Sequence, residues 1–188
     1  MHEQTMHEQA TPNSTASGRA TTGNAANELQ IITRIFDAPR ALVWKAWTDP
    51  EYVKQWWGPK GFTSPVCRID LRVGGRFTYC MRTPDGHDFY NGGEFLEIIP
   101  LERIVWLWYF ADADGNRVNP SHYGFPAEDR EGNIDEILFE EIGSNQTRLT
   151  FRRNDPTATK EEQEGAAEGF RQILDKMAGV VAALVRNP

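Results

Sequence analysis

From Thr159 to Val185, apolar residues recur at Ala166, Phe170, Ile173/Leu174, Met177, Val181 and Leu184, the three-to-four-residue spacing of one helical face. The opposite side carries Glu161, Glu162, Glu164, Glu168, Arg171, Asp175 and Lys176 and is expected to face water. At about 1.5 Å per residue this helix is roughly 39 Å long, enough to cross a small domain. Thr157 or Thr159 is placed to cap it, with acidic residues in the first turn favouring the positive end of the helix dipole. A single amphipathic helix of this length needs a sheet to lie on.

The pattern upstream supplies that sheet. Leu29 to Phe36 reads as a strand; Pro39 then opens a short helix with Leu42, Val43, Ala46 and Trp47 on its apolar side. Asp49-Pro50 opens a second, containing Tyr52, Val53, Trp56 and Trp57, and Gly58-Pro59 stops it. Strand patterns follow at Pro65 to Leu71, Arg76 to Thr83, Asp88 to Ile99, Arg103 to Ala111, Ile134 to Ile142 and Thr147 to Arg153. Gly92-Gly93 suggests a bulge or sharp curvature in the third of these. Short connections require antiparallel pairing. The expected fold is therefore α+β, one domain over residues 28–188 with a curved antiparallel sheet around the last helix. Residues 1–27 contain a doubled Met-His-Glu-Gln and almost nothing to bury, so a disordered tail is expected there.

The formal net charge of −7 argues against nucleic acid as a partner, since the phosphate contribution would be repulsive. No apolar run reaches bilayer-spanning length and the N-terminus has no apolar core of a signal peptide, so a cytoplasmic protein is expected. Cys67 and Cys80 do not make a disulfide framework, although neighbouring strands would allow them to face each other. There is no glycine-rich phosphate loop leading into a helix, no nucleophile elbow, no His-Glu-x-x-His and no Cys-x-x-Cys. His87 and His122 stand alone in polar turns. No catalytic residue, metal site or cofactor is therefore predicted.

Aromatic content of 11% points instead to an apolar cavity. The candidate ligand-binding residues are Phe77, Tyr79 and Met81 on one strand, Trp106, Trp108 and Phe110 on another, and Phe139 and Phe151 of the final hairpin. Phe170, Leu174 and Met177 close the set from the helix, with Tyr90 and Glu94 as inward polar groups and Arg76 and Arg103 as further polar candidates. Any of the apolar residues serves equally well as core. The segment 112–133 has the length of a lid, with Tyr123, Phe125 and Pro126 able to cover a cavity mouth.

Three blocks carry a resemblance: Phe36-Asp37-Ala38-Pro39 through Trp44, Thr48, Asp49 and Pro50 to Trp56-Trp57-Gly58-Pro59; Asp70 through Gly74-Gly75 to Phe77; and Pro84-Asp85-Gly86 through Gly93, Glu97, Pro100 and Arg103. Together with Thr147 to Phe151 and the Gly169-Phe170 to Met177 helix, they resemble the domain family named for the activator of the heat-shock-protein-90 ATPase, within the START-like (SRPBCC) superfamily. The likeness covers about residues 29–185. It implies the helix-grip fold: a curved seven-stranded antiparallel sheet around a long C-terminal helix, with two small helices after the first strand. It also implies a cavity between sheet and helix that takes lipids, sterols or polyketides in superfamily members, a few of which are cyclases or hydrolases.

Three functions follow as expectations. The first is a non-enzymatic carrier or sensor of a small hydrophobic or aromatic molecule. The second is a protein-interaction or chaperone-related module, supported by Trp56 and Trp57 if they are exposed. The third, a cyclase- or hydrolase-like enzyme, needs an inward acid–base pair. Either a monomer or a homodimer suits all three.

Overall fold

The computed structural model describes residues 29–125, 131–155 and 158–187; the 1–27 tail, Pro126, Pro156 and Thr157 lie outside the described residues. Strands β1 (Gln30–Phe36), β2 (Cys67–Ile69), β3 (Arg76–Arg82), β4 (Asp88–Ile99), β5 (Arg103–Ala111), β6 (Asn133–Gly143) and β7 (Gln146–Arg153) form one antiparallel sheet. Their order across it is β1-β7-β6-β5-β4-β3-β2. Helices α1 (Arg40–Thr48) and α2 (Pro50–Trp56) follow β1, and α3 (Lys160–Arg186) comes last. This is the helix-grip arrangement. Thr159 caps α3 reciprocally: its side chain accepts the Glu162 N–H and the Glu162 carboxylate accepts the Thr159 N–H, satisfying two amides of the first turn.

One sheet face is inward, and strand alternation decides what lies on it. Phe77 and Tyr79 of β3, Phe95 of β4, Ile104 and Trp106 of β5, Ile137 and Phe139 of β6, and Leu149 and Phe151 of β7 all point into the core. The pairing stays regular through Gly92-Gly93, with Gly93 opposite Phe77 and Trp108, and the register shift falls instead between Phe95 and Glu97. Gly93 is a glycine for close packing. A Cβ there would lie 2.3 Å from the Phe77 ring and 2.1 Å from the Leu107 carbonyl oxygen.

That regular register corrects the inward polar expectations. Glu94 pairs with Arg76 and Leu107 on the outer face and is exposed, and Tyr90, opposite Cys80 and Ala111, is also outward. Arg76 straps the following loop from outside, donating to the Gly115 carbonyl and to the Tyr109 hydroxyl at 3.2 Å. Arg103 belongs to an outer ladder: it donates to Glu97 at 2.7 Å and to Glu136 at 2.6 Å, and Arg152 donates to Glu136 at 2.9 Å.

Trp56 and Trp57 are buried, which removes the surface patch expected of them. Asp49 accepts the Glu51 N–H and caps α2, turning the helix so that Trp56 stacks near Trp47 (5.2 Å between centroids) and donates to the Ala46 carbonyl at 2.9 Å. Trp57 reaches Tyr79 at 4.6 Å and Trp47 reaches Trp106 at 5.9 Å. The two short helices thus fill the space between the sheet and the C-terminal two-thirds of α3. Both thiols are free and buried. Cys67 stands opposite Tyr79 on the inner face, so Cys80, one residue further along β3, faces outward and the two cannot meet. Burial pushes the Cys67 thiol up to about 12 and the Cys80 thiol up to about 11.

Lys176 leaves the water-facing side expected for it. Its ammonium donates to the Gly58 and Phe62 carbonyls, both at 2.9 Å, pinning the α2–β2 connection to α3, and burial lowers its pKa. Lys176→Met keeps the stem and loses both charge-assisted bonds, so urea denaturation is expected to show a loss of about 2 kcal/mol; no change in midpoint would remove the strap from the account. Glu136 is held below the usual carboxylate range because the Arg103 and Arg152 hydrogen bonds outweigh its burial. A carboxyl whose folded pKa is depressed contributes stability above its unfolded pKa, lost as pH falls through the folded value. Glu136→Gln is therefore expected to flatten the decline in stability between about pH 5 and pH 3, read from urea midpoints at each pH.

A candidate ligand cavity between the sheet and the first turns of the last helix

The stripe that α3 turns toward the sheet changes size along the helix. Phe170, Leu174 and Met177 are large: Phe170 stacks on Phe151 with centroids 4.1 Å apart, and Leu174 and Met177 are fully buried. Little more than one turn earlier only the small Ala167 is buried, while Gly165 and Ala166 are exposed beside the cavity, and a Cβ on Gly165 would meet nothing within 4 Å. The helix end and the sheet consequently do not close on each other, leaving a cavity of about 370 Å³. This lies within the range of small-molecule sites, at its lower end.

Its floor is the inner face of β5 to β7 and β1: Trp108, Phe110, Asn133, Arg153 and Gln30. Its roof is Glu162, Gln163, Gly165 and Ala166 of α3. The third wall is the segment after β5, which brings Val118, Pro120 and Phe125 over the opening. That segment is anchored by its own chemistry. Asn119 accepts the Ser121 N–H and starts a 3-10 turn (Pro120–Tyr123), and Tyr123 donates to the Ala111 carbonyl at 2.6 Å and accepts the Tyr90 N–H at 3.0 Å. Phe125 and Tyr123 pack on Phe110 and Phe89. Tyr123 and Phe125 were expected to cover a cavity mouth; Phe125 lines it directly, and Tyr123 holds the wall in place.

The polar centre of the floor is a buried ion pair. Asp135, with no solvent exposure, accepts from Arg153 Nε at 2.8 Å and Nη2 at 2.7 Å, and from the Trp106 indole N–H at 2.9 Å. Fork-to-fork geometry of this kind fixes both side chains. The guanidinium lies 4.8 Å from the Trp108 ring centroid, and Nη1 makes no hydrogen bond among the described residues. Burial alone would lower the Arg153 pKa, but the Asp135 charge and hydrogen bonds raise it, so the guanidinium stays charged. Nearby, Asp155 accepts from Asn133 and from the Ala158 N–H, and Gln30 Nε2 ties β1 to the Gln163 carbonyl. Asn91, buried on the same sheet face across from Phe110, has neither amide atom bonded to a described residue; such an amide is one that water or a guest's polar group satisfies.

Of the thirteen candidate binding residues, the cavity gathers Trp108 and Phe110. Phe77, Tyr79, Trp106, Phe139, Phe151, Leu174 and Met177 are core, because α1 and α2 occupy the space in front of them. Met81 and Phe170 pack partly buried against that core, and Tyr90 and Glu94 are on the far side of the sheet. The residues that sequence reasoning missed are polar: Arg153 and Asn133 in the lining and Asp135 behind it. A signal for them existed. The alternation that puts Phe139 and Ile137 inward continues to Asp135 and Asn133, and that of Leu149 and Phe151 continues to Arg153.

The arrangement defines a helix-grip protein with a partly open amphipathic pocket and, among the described residues, no cluster able to hold a metal ion. Residues 37–182 match the model of the family described as "Activator of Hsp90 ATPase homolog 1-like protein", and the chain belongs to that family. A comparison with curated proteins finds no match. Among solved structures, the chain is similar to a protein from Mycobacterium smegmatis at 26% identity, covering 85% of this chain and 91% of that one with a TM-score of 0.64. It is similar to a Nitrosomonas europaea protein at 25% identity, covering 84% and 96% with a TM-score of 0.65. An AHSA1 protein from Silicibacter pomeroyi shares the fold at 21% identity, covering 83% and 99% with a TM-score of 0.64. No helix among the described residues is long and apolar enough to cross a membrane.

Removing one member of the Asp135–Arg153 pair strands the other in the interior. Arg153→Met is expected to cost about 3–5 kcal/mol in chemical denaturation, and Asp135→Leu combined with Arg153→Met much less than the two single changes together. Additive losses would show that the pair is not energetically coupled.

Proposed function

We propose that this protein binds a small, largely apolar molecule in the cavity between the inner face of β5–β7 and the first turns of α3, without transforming it. The observation that carries this reading is the graded stripe of α3. Gly165 and Ala166, exposed on the first turns of α3, line the cavity where larger side chains would fill it, and the wall opposite them is aromatic (Trp108, Phe110, Phe125). A helix interior glycine costs about 1 kcal/mol relative to alanine, so keeping Gly165 and leaving the space open sacrifices stability. Binding is a use for which that sacrifice makes sense.

Two further observations weigh against the alternatives. The interaction-module reading would have been supported by exposed Trp56 and Trp57, and both are buried, which removes that support. The enzyme reading needed an inward acid–base pair. Asp135 and Arg153 are a pair of that kind only in form, because Asp135 is committed to three hydrogen bonds and the guanidinium remains protonated.

Native mass spectrometry of the purified protein, compared with its denatured mass, tests the reading, with Ala166→Trp as the blocking variant. The wild type is expected to carry or accept an apolar guest that Ala166→Trp does not, with the variant's thermal midpoint within a few degrees of wild type. Equal occupancy in the two proteins would place the guest elsewhere.

A further inference from the structure

Independently of the cavity, we propose that the free edge of β1 and the flank of α3 beside it form a self-complementary surface that pairs two copies of this chain about a two-fold axis at Thr33. β1 ends the sheet, and no described strand pairs with its other side. The opposite end of the sheet is β2, three residues long, a short edge that offers little to a neighbour. β1 runs for seven residues, and its pairing with β7 is regular throughout. No proline, lysine or bulge guards it. Its one charge, Arg34, turns inward to Asp175 of α3. Ile31, Thr33 and Ile35 stand on the outer face, the two isoleucines 55% and 50% exposed.

The register follows from the symmetry of these positions. Directly opposed residues of an antiparallel pair share a face, so a pairing centred on Thr33 keeps both α3 helices on one side of the joined sheet. It also sets Ile31 of each copy against Ile35 of the other. Moving the centre to Ile32 or Arg34 sets an isoleucine against Thr33 instead. The helix layer agrees with the same axis. α3 runs beside β1 in the same sense, Gln30 reaching Gln163 and Arg34 reaching Asp175. An open groove between the two is lined by Ile31, Thr33 and Arg34 of β1 and by Arg171, Leu174 and Asp175 of α3. An axis at Thr33 therefore passes between Arg171 and Asp175. Two α3 helices related by it run antiparallel, with Arg171 of each copy facing Asp175 of the other. Further along that flank Ala178 and Ala182 are small, which lets the two helices approach. Backbone hydrogen bonds of the strand edge, isoleucine pairs outside and ion pairs inside are thus satisfied by one operation on one partner, a second copy.

Sedimentation equilibrium of the full-length protein across about 1–200 μM tests this. The mass is expected to rise with concentration from 21.4 kDa toward twice that value. The double variant Ile31→Glu, Ile35→Glu is expected to weaken association about ten-fold or more. Each substituted position stands opposite an arginine of its own β7, Arg152 or Arg148, so the monomer accepts the change while like charges meet across the axis. Oxidation of Thr33→Cys is expected to give a covalent dimer, and oxidation of Ile35→Cys is not. The two copies of position 35 would lie about 13 Å apart along the strands, beyond the reach of a disulfide. Both native thiols are buried. A mass of 21.4 kDa at every concentration overturns the proposal. Association undiminished in the double variant, or cross-linking of Ile35→Cys as complete as that of Thr33→Cys, overturns it as well, because the contact then lies on another surface or in another register. The two cysteine variants decide the matter if the double variant does not fold.

Discussion

The inner face of this sheet is wider than one helix can cover, and the rest of the structure answers that constraint. A helix about 10–12 Å across lies over two or three strands, while seven strands spaced by about 4.8 Å offer much more. The chain solves the problem at one end by inserting α1 and α2, whose Trp47, Trp56 and Trp57 fill the gap between α3 and Tyr79, Trp106 and Phe139. At the other end no helix is inserted. There α3 offers Gly165 and Ala166, and the loop bearing Val118, Pro120 and Phe125 partly roofs the opening. Core and cavity are thus two outcomes of one geometric shortfall, divided near Phe170.

The architecture was legible in the sequence because the signals that specify it are local. The apolar stripe of α3, its Thr159 cap, the Asp49-Pro50 start of α2 and the alternation of β3 each depend on a few neighbouring residues, and each is found where it was expected except that the buried stripe begins at Ala167 rather than Ala166. The strand pattern at Pro65 to Leu71 shortened to Cys67–Ile69, since the turn around Asp70 and Gly75 closes early. The division of aromatic residues between core and cavity was not legible. Phe77 and Trp108 look alike in sequence, and what separates them is that Phe77 is sealed among Tyr79, Phe95 and Trp106, while the face of Trp108 carries the Arg153 guanidinium at the cavity. Reading Gly92-Gly93 as a bulge failed for a related reason. A glycine required by a ring on the next strand carries the same letter as one required by curvature.

Polarity on the inner face is the more informative feature. Asp135 and Arg153 stand at inward positions where valine or leucine would be ordinary, and they cancel each other's charge in a place where neither tolerates isolation. The pair lets a buried floor remain polar without carrying a net charge of its own. On the outer face, by contrast, Glu97, Arg103, Glu136 and Arg152 run across strands β4 to β7 in reach of solvent, where such contacts tie neighbouring strands together and are worth little singly.

The pairing of β1 with β7 has a consequence for how the protein reaches this state. The first strand waits for the last: Gln30 contacts Gln163 across 133 residues of chain, and Thr147 bonds the Ala38 carbonyl across 109. A ribosome therefore releases β1 long before its partner exists. During that interval the Ile32 and Phe36 side chains, which the finished fold buries, and an unpaired strand edge are in the open, the situation in which nascent chains stick to one another. Contacts of such long range also slow the search for the native topology. The cavity, walled by Gln30 from near one end of the described chain and Gln163 from the last helix, cannot take shape until α3 has begun to emerge.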